Sequence, residues 1–190
     1  MAQDISKNIV CLGWGSLIWD PRDLPLAKPW LADGPALPLE FARKSQDGRM
    51  TLVVCPEGTV CTVLWAALQT TDIDEVRKML ADREGLPTTR NAAYWTPWGT
   101  SEHLGAAEIG EWAKKLGLPG VVWTGLLAKS PITERNGDLP TVDTVLQHLN
   151  GLSGDARPQA EEYVRRAPKQ IQTRYREVFA ETLNWTPKAT

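Results

Sequence analysis

The 190-residue sequence is poor in the features that most often announce a function. It has only three cysteines, Cys11, Cys55 and Cys61. Their number is odd, their spacing is not that of a metal site, and each lies in an apolar stretch, so a disulfide framework and a cysteine-rich metal centre are set aside and buried free thiols are expected. The two histidines, His103 and His148, stand alone on helical segments and read as solvated or capping residues. No apolar run approaches the ~18–20 residues of a membrane span, and Met1-Ala2-Gln3-Asp4 is not a basic region followed by an apolar one. No membrane partner and a cytoplasmic location are therefore expected. A basic excess is also lacking: 21 Lys and Arg face 23 Asp and Glu, giving a net charge of -2, so neither nucleic acid nor an anionic lipid surface is an expected partner. Gly13-x-Gly15 lacks the third glycine of a dinucleotide fingerprint, and no Walker-type lysine is present.

What is present is the pattern of a globular chain, and its length suits a single domain over residues 1–190. Asn8 to Trp14 is short and apolar, ends at glycines and predicts a buried strand. Leu37 to Phe41, Met50 to Cys55 and Thr59 to Leu68 predict three more, the last two joined as an antiparallel hairpin through Pro56-Glu57-Gly58. Asp72 with Glu75 resembles a capping box, and Ile73, Val76 and Leu80 recur at helical spacing toward a stop at Gly85. Thr88 to Gly99, with Tyr94, Trp95, Pro97 and Trp98, has no lasting period and reads as an aromatic loop. A helix from near Ser101 to Gly117, with Ile109, Trp112 and Leu116 on one face, precedes a strand over Val121 to Leu127. Thr141 caps a helix with Val142, Val145 and Leu149 inward, opening a helical C-terminal part from about residue 141. Pro168 interrupts that part before a stripe of Ile171, Tyr175, Val178 and Phe179. Strands first and helices mostly later predict an α+β fold. Nine tryptophans suit a core with some indoles lining a cleft.

Two features carry chemistry. Glu84 continues the series Ile73, Val76, Leu80 on the core-facing stripe and lies in the last helical turn, where unpaired carbonyls disfavour an anion. Both effects raise a carboxyl pKa, which suits a general base near neutral pH. The plain alternative is a carboxylate that curls into solvent or pairs with Arg83 or Arg90. The second feature is the bend Gly13-Trp14-Gly15-Ser16-Leu17, whose glycines let backbone approach a ligand and whose successive amides can form a nest for a carboxylate or oxyanion. The plain alternative there is a tight turn. Ser16 is not read as a nucleophile, because the surrounding pattern is no glycine-x-serine-x-glycine elbow.

Gly13-Trp14-Gly15-Ser16-Leu17-Ile18-Trp19, Phe41-Ala42-Arg43-Lys44-Ser45-Gln46-Asp47-Gly48-Arg49 with Thr51-Leu52-Val53, and Leu80-Ala81-Asp82-Arg83-Glu84 together resemble the gamma-glutamylcyclotransferase family, nearest its ChaC-type, glutathione-degrading branch. The resemblance covers roughly the first half of the chain. It implies a mixed, mainly antiparallel sheet or small barrel flanked by helices, and an enzyme that converts a γ-glutamyl amine or peptide to 5-oxoproline and a free amine, with no metal or cofactor. It implies Glu84 as acid/base and Trp14, Gly15, Ser16, Leu17, Ser45 and Tyr94 around a small-molecule γ-glutamyl substrate. Arg43 and Arg49 are further candidates for a substrate carboxylate. Trp14 departs from the family's usual tyrosine, which removes a phenol and makes the bend bulkier and more apolar. Two other readings stand beside this one: a non-catalytic ligand-binding or regulatory protein on the same fold, and an interaction module using the basic residues Arg165, Arg166, Lys169, Arg174 and Arg176.

Overall fold

The structure is a computed structural model and describes residues 7–27, 29–86 and 88–188. These residues gather into two compact units, one of residues 7–13, 17–27, 29–36, 62–86 and 88–125 and the other of residues 14–16, 37–61 and 126–188. Each unit has its own sheet, and the whole is α+β.

The first unit is built on five strands: β1 (Val10–Gly13), β5 (Leu64–Ala67), β6 (Ala92–Thr96), β7 (Gly99–Thr100) and β8 (Val121–Thr124), in the order β5-β1-β8-β6-β7. Only β1 and β8 run parallel, pairing Val10 with Val121; the other three pairs are antiparallel. Helix α1 (Ile73–Glu84) packs on β6 and β8, and α2 (Ala106–Lys115) packs on β6. Asp72 caps α1 by accepting from the amides of Asp74 and Glu75, and Gly85 ends it at φ 64°. The expected capping box is only half made, since Glu75 accepts from the Thr70 hydroxyl at 2.7 Å. Val76, Leu80 and Ala81 of α1 are buried in one cluster with Ile9, Cys11, Leu17 and Val122. On α2 the buried residues are Ile109, Gly110 and Ala113, while Leu116, expected inward, is 44% exposed. A Cβ on Gly110 would lie 2.8 Å from Trp95 Nε1, so glycine lets the α2 backbone rest on that indole.

The second unit has three strands, β2 (Ala36–Lys44), β3 (Met50–Val54) and β4 (Thr59–Thr62), in the order β3-β2-β4. Helices α3 (Val142–Gly151), α4 (Ala156–Arg166) and α5 (Arg174–Leu183) accompany it. Thr141 caps α3 and Thr173 caps α5 through their hydroxyls. Between α4 and α5 the Arg176 guanidinium, 1% exposed, donates to four carbonyls: Nη1 to Pro168 at 2.7 Å and Ile171 at 2.8 Å, Nη2 to Val164 at 3.1 Å and Ala167 at 2.6 Å. Burial pulls its pKa down to about 10, so it stays charged at neutral pH. Glu40 of β2, 3% exposed, accepts from the amides of Phe41 at 2.9 Å and Tyr175 at 3.4 Å, the latter in the first turn of α5. There the helix dipole favours an anion. Burial nonetheless holds its pKa above the usual carboxylate range, against the hydrogen bonds from Thr173, Phe41 and Tyr175.

The structure corrects five expectations. The sheets do not close into a small barrel among the described residues, because the five-stranded sheet is open, with β5 at one edge and the two-residue β7 at the other. β3 and β4 are not a hairpin: β2 lies between them, and β3 pairs antiparallel with β2, Phe41 opposite Leu52. The Pro56-Glu57-Gly58 turn instead crosses the start of β2, where a Cβ on Gly58 would lie 2.7 Å from Leu39 N. Thr59 to Leu68 is not one strand but two, β4 and β5, in different sheets, with Val63 between them exchanging backbone hydrogen bonds with Gly34 and Pro35. The aromatic loop is largely β6, an interior strand whose Ala92 and Ala93 are buried and carry little β-propensity. The strand expected over Val121 to Leu127 is shorter, ending at Thr124.

Arg176→Met should lower stability by about 3 kcal/mol or more, because four carbonyls lose a charged donor inside the fold; Arg176→Lys should recover part of it, and urea midpoints measure both. Glu40 also sets a pH dependence. A carboxyl whose folded pKa is raised makes its full contribution below the ordinary value near 4.5, and that contribution is lost as pH rises through the folded pKa. The stability of Glu40→Gln relative to the parent should therefore improve steadily as pH is raised from about 4 toward neutrality.

Candidate functional site

In the first unit the site is built around the last turn of α1. Burial of Val76, Leu80 and Ala81 fixes the rotation of the helix, and Glu84, four residues beyond Leu80, falls on the same side. Its side chain is 19% exposed, and its Oε1 lies 2.8 Å from Nη1 of Arg83. One of the alternative readings, pairing with Arg83, is thus realised within a largely buried setting. Cys11 of β1 is near enough to respond to these charges. Its thiol is pushed up to about 12, first by burial and then by the Glu84 carboxylate, with Arg83 opposing. Leu17 is buried in the cluster that holds the apolar face of α1, and Tyr94 of β6 packs against it. The Arg77 guanidinium lies over the Tyr94 ring, 4.6 Å from its centroid. Leu17, Tyr94 and the helix that ends in Glu84 are thereby brought to one core.

The bend itself is divided, with Gly13 and Leu17 in the first unit and Trp14, Gly15 and Ser16 in the second. Gly13 lies against Trp30, and a Cβ there would be 2.8 Å from its ring. A short 3-10 turn, Ser16–Ile18, follows the bend.

In the second unit Trp14 is only 6% exposed, and its indole N–H donates to the Leu52 carbonyl at 3.2 Å. The Leu52 amide donates to the Tyr163 hydroxyl of α4, also at 3.2 Å. Gly15 rests on that hydroxyl: a Cβ on it would lie 2.4 Å away. The glycine is therefore required for close approach to Tyr163. Ser45 belongs to the β2–β3 turn, where its hydroxyl hydrogen-bonds Asp47 at 2.5 Å and the Arg49 carbonyl at 2.9 Å. Arg49 pairs with Asp47 at 2.7 Å and stacks on Tyr163 at 5.4 Å, while Arg43 donates to the Leu127 carbonyl and to Asn136.

Sequence reasoning gave no role to Tyr163, because a tyrosine inside a charged helical stretch carries no signal of contact with a bend about 150 residues earlier. Arg83 was visible only as a rival explanation for Glu84. The basic C-terminal residues are mostly occupied within the unit: Arg165 pairs with Glu161, Arg166 with Glu162, and Arg176 is buried. His148 hydrogen-bonds the Gly48 carbonyl at 2.7 Å, and His103 precedes α2 with a pKa lowered by burial and by Arg77. All three cysteines are free and buried. Among the described residues no group of three or more His, Cys, Asp or Glu side chains could hold a metal ion, and no helix is long and apolar enough to cross a membrane.

No family model, curated protein or solved structure matches this chain.

The packing of Gly15 can be tested by a double-mutant cycle. Gly15→Ala should destabilise by about 1–3 kcal/mol through overpacking against Tyr163. Tyr163→Phe, which removes the atom met first, should cost less in the Gly15→Ala background than alone, as read from denaturation midpoints.

Proposed function

We propose that this chain is a γ-glutamyl cyclotransferase. The observation that carries the reading is Glu84: a carboxylate in the last turn of a helix, mostly withdrawn from water and held by a neighbouring guanidinium at 2.8 Å. A general base needs a fixed direction and limited hydration, and this setting supports both.

In the proposed reaction the α-nitrogen of a γ-glutamyl group forms a bond to its own γ-carbonyl carbon, and the bond from that carbon to the departing amine breaks. The products are 5-oxoproline and an amine or peptide. The α-ammonium sheds two protons on its way to the lactam N–H, and Glu84 takes them in turn and passes them to the departing nitrogen, which leaves as an ammonium, so the balance needs neither oxidant nor hydrolytic water. The oxyanion that develops on the γ-carbonyl, or the substrate α-carboxylate, is assigned to the amides of Gly15, Ser16 and Leu17. Trp14 and Tyr94 are assigned to the substrate's apolar and aromatic surroundings. Ser45 is assigned a supporting part through the β2–β3 turn, where its hydroxyl is already engaged. Holding the γ-glutamyl chain bent back on itself supplies the proximity that a ring closure needs.

The test is incubation of the purified protein with glutathione, γ-glutamyl dipeptides and γ-glutamyl amines, followed by assay of 5-oxoproline. At least one compound should be turned over, and Glu84→Gln should lose about 10²–10⁴-fold in kcat. Folded protein that releases 5-oxoproline from none of them rules the reading out.

A further inference from the structure

Adjacent residues on a helix do not ordinarily face each other. Arg83 and Glu84 meet because they end α1, which stops at the left-handed Gly85. The Arg83 side chain is only 7% exposed, and its Nε and Nη2 are directed to the segment that follows the 3-10 turn. Nε lies 3.0 Å and Nη2 2.6 Å from the Asp20 carbonyl, and Nη2 is 3.9 Å from the Asp20 carboxylate. In return Arg22 Nη1 donates to the Arg83 carbonyl at 3.1 Å. A guanidinium is planar and its five donors point in fixed directions. Pinned along one edge by Asp20, it presents Nη1 to Glu84 in a single orientation.

We infer that Arg83 is a positioning residue that fixes the direction and the ionisation of the Glu84 carboxylate and ties it to residues 20–22 beyond the bend. The inference rests on the proposed role of Glu84 and extends it. Among the described residues, the Cys11 thiol of β1 responds to the Glu84 charge, Tyr94 of β6 with Arg77 on its ring packs on the same core, and Asp20 and Arg22 of the following segment contact Arg83. Cys11 is neutral at physiological pH. Asp20 and Arg22 pair with each other and are more than half exposed, so solvent screens them. Arg83 is a cation in direct, largely buried contact with Glu84, and a cation so placed favours the charged form of a carboxylate. Lysine in its place would keep the charge and lose the planar fork.

The experiment is a titration of the Glu84 carboxyl carbon by ¹³C NMR in the full chain, with the resonance assigned by its loss in Glu84→Gln. In Arg83→Met the midpoint should rise by about one pH unit or more. Arg83→Lys should restore most of that shift while amide-exchange protection at residues 19–22 stays reduced. Arg83→Gln, which keeps donors for the Asp20 carbonyl, serves as the neutral variant where Met does not fold. Where turnover is present, the acidic limb of kcat/KM should move by the same amount. In the parent protein the two Arg83 Nη resonances should be resolved by slow rotation and merge in Glu84→Gln. An unchanged midpoint in a folded neutral variant, or a freely rotating Arg83 in the parent, overturns the inference. A shifted midpoint without 5-oxoproline from any substrate instead removes the cyclotransferase reading and leaves Arg83 in place.

Discussion

Burial of one face of α1 against β6 and β8 is the constraint on which the first unit depends. Val76 and Leu80 cannot leave that contact without exposing apolar surface, so the azimuth of the helix is set, and Glu84 inherits it one turn later. The position of the carboxylate is thus decided by aliphatic packing rather than by polar groups. Gly85 then stops the helix with its amide bonded to the carbonyls of Ala81 and Asp82, and α1 cannot run on and carry Glu84 into its middle. The polar contacts of Arg83 act on a side chain whose place is already chosen; they select its rotamer.

The second unit is ordered differently, by buried polar groups that are almost fully engaged. Arg176 gathers the carbonyls left open where α4 ends and Pro168 prevents a helix from continuing, and Glu40 meets the open amides where α5 begins. A guanidinium closes the carbonyl end and a carboxyl group accepts at the amide end, each offering the hydrogen-bonding partner that its terminus lacks. Phe41, adjacent to Glu40, packs edge-on against both Tyr163 and Phe179, so the aromatic core and the polar ties share the same stretch of β2.

Local signals were legible wherever the cause was local. Asp72, Thr141 and Gly85 marked helix ends because capping is a matter of a few neighbouring residues, and Ile73, Val76 and Leu80 gave the buried face. Glu84 could be picked out by its position on that stripe. What the sequence hid was partnership across distance. Nothing in Thr59 to Leu68 says that its two halves enter different sheets, because both halves are apolar and the break at Val63 is made by Gly34 and Pro35. Nothing in Met50 to Val54 says that β2, and not β4, is its neighbour. Ala92 and Ala93 gave no strand signal, since their burial within the sheet depends on neighbours on both sides. At the bend the glycines were visible, but the reason for Gly15 lies in the hydroxyl of Tyr163.

β3 ends its sheet, and such a border ordinarily offers a row of open amides and carbonyls to any extended peptide that drifts past. At Leu52, midway along this strand, the amide is taken by a phenol and the carbonyl by an indole. A foreign strand seeking to extend the ladder would have to evict two large aromatic side chains before making its first central bond. The same pair of rings therefore also closes the middle of this border to an added strand.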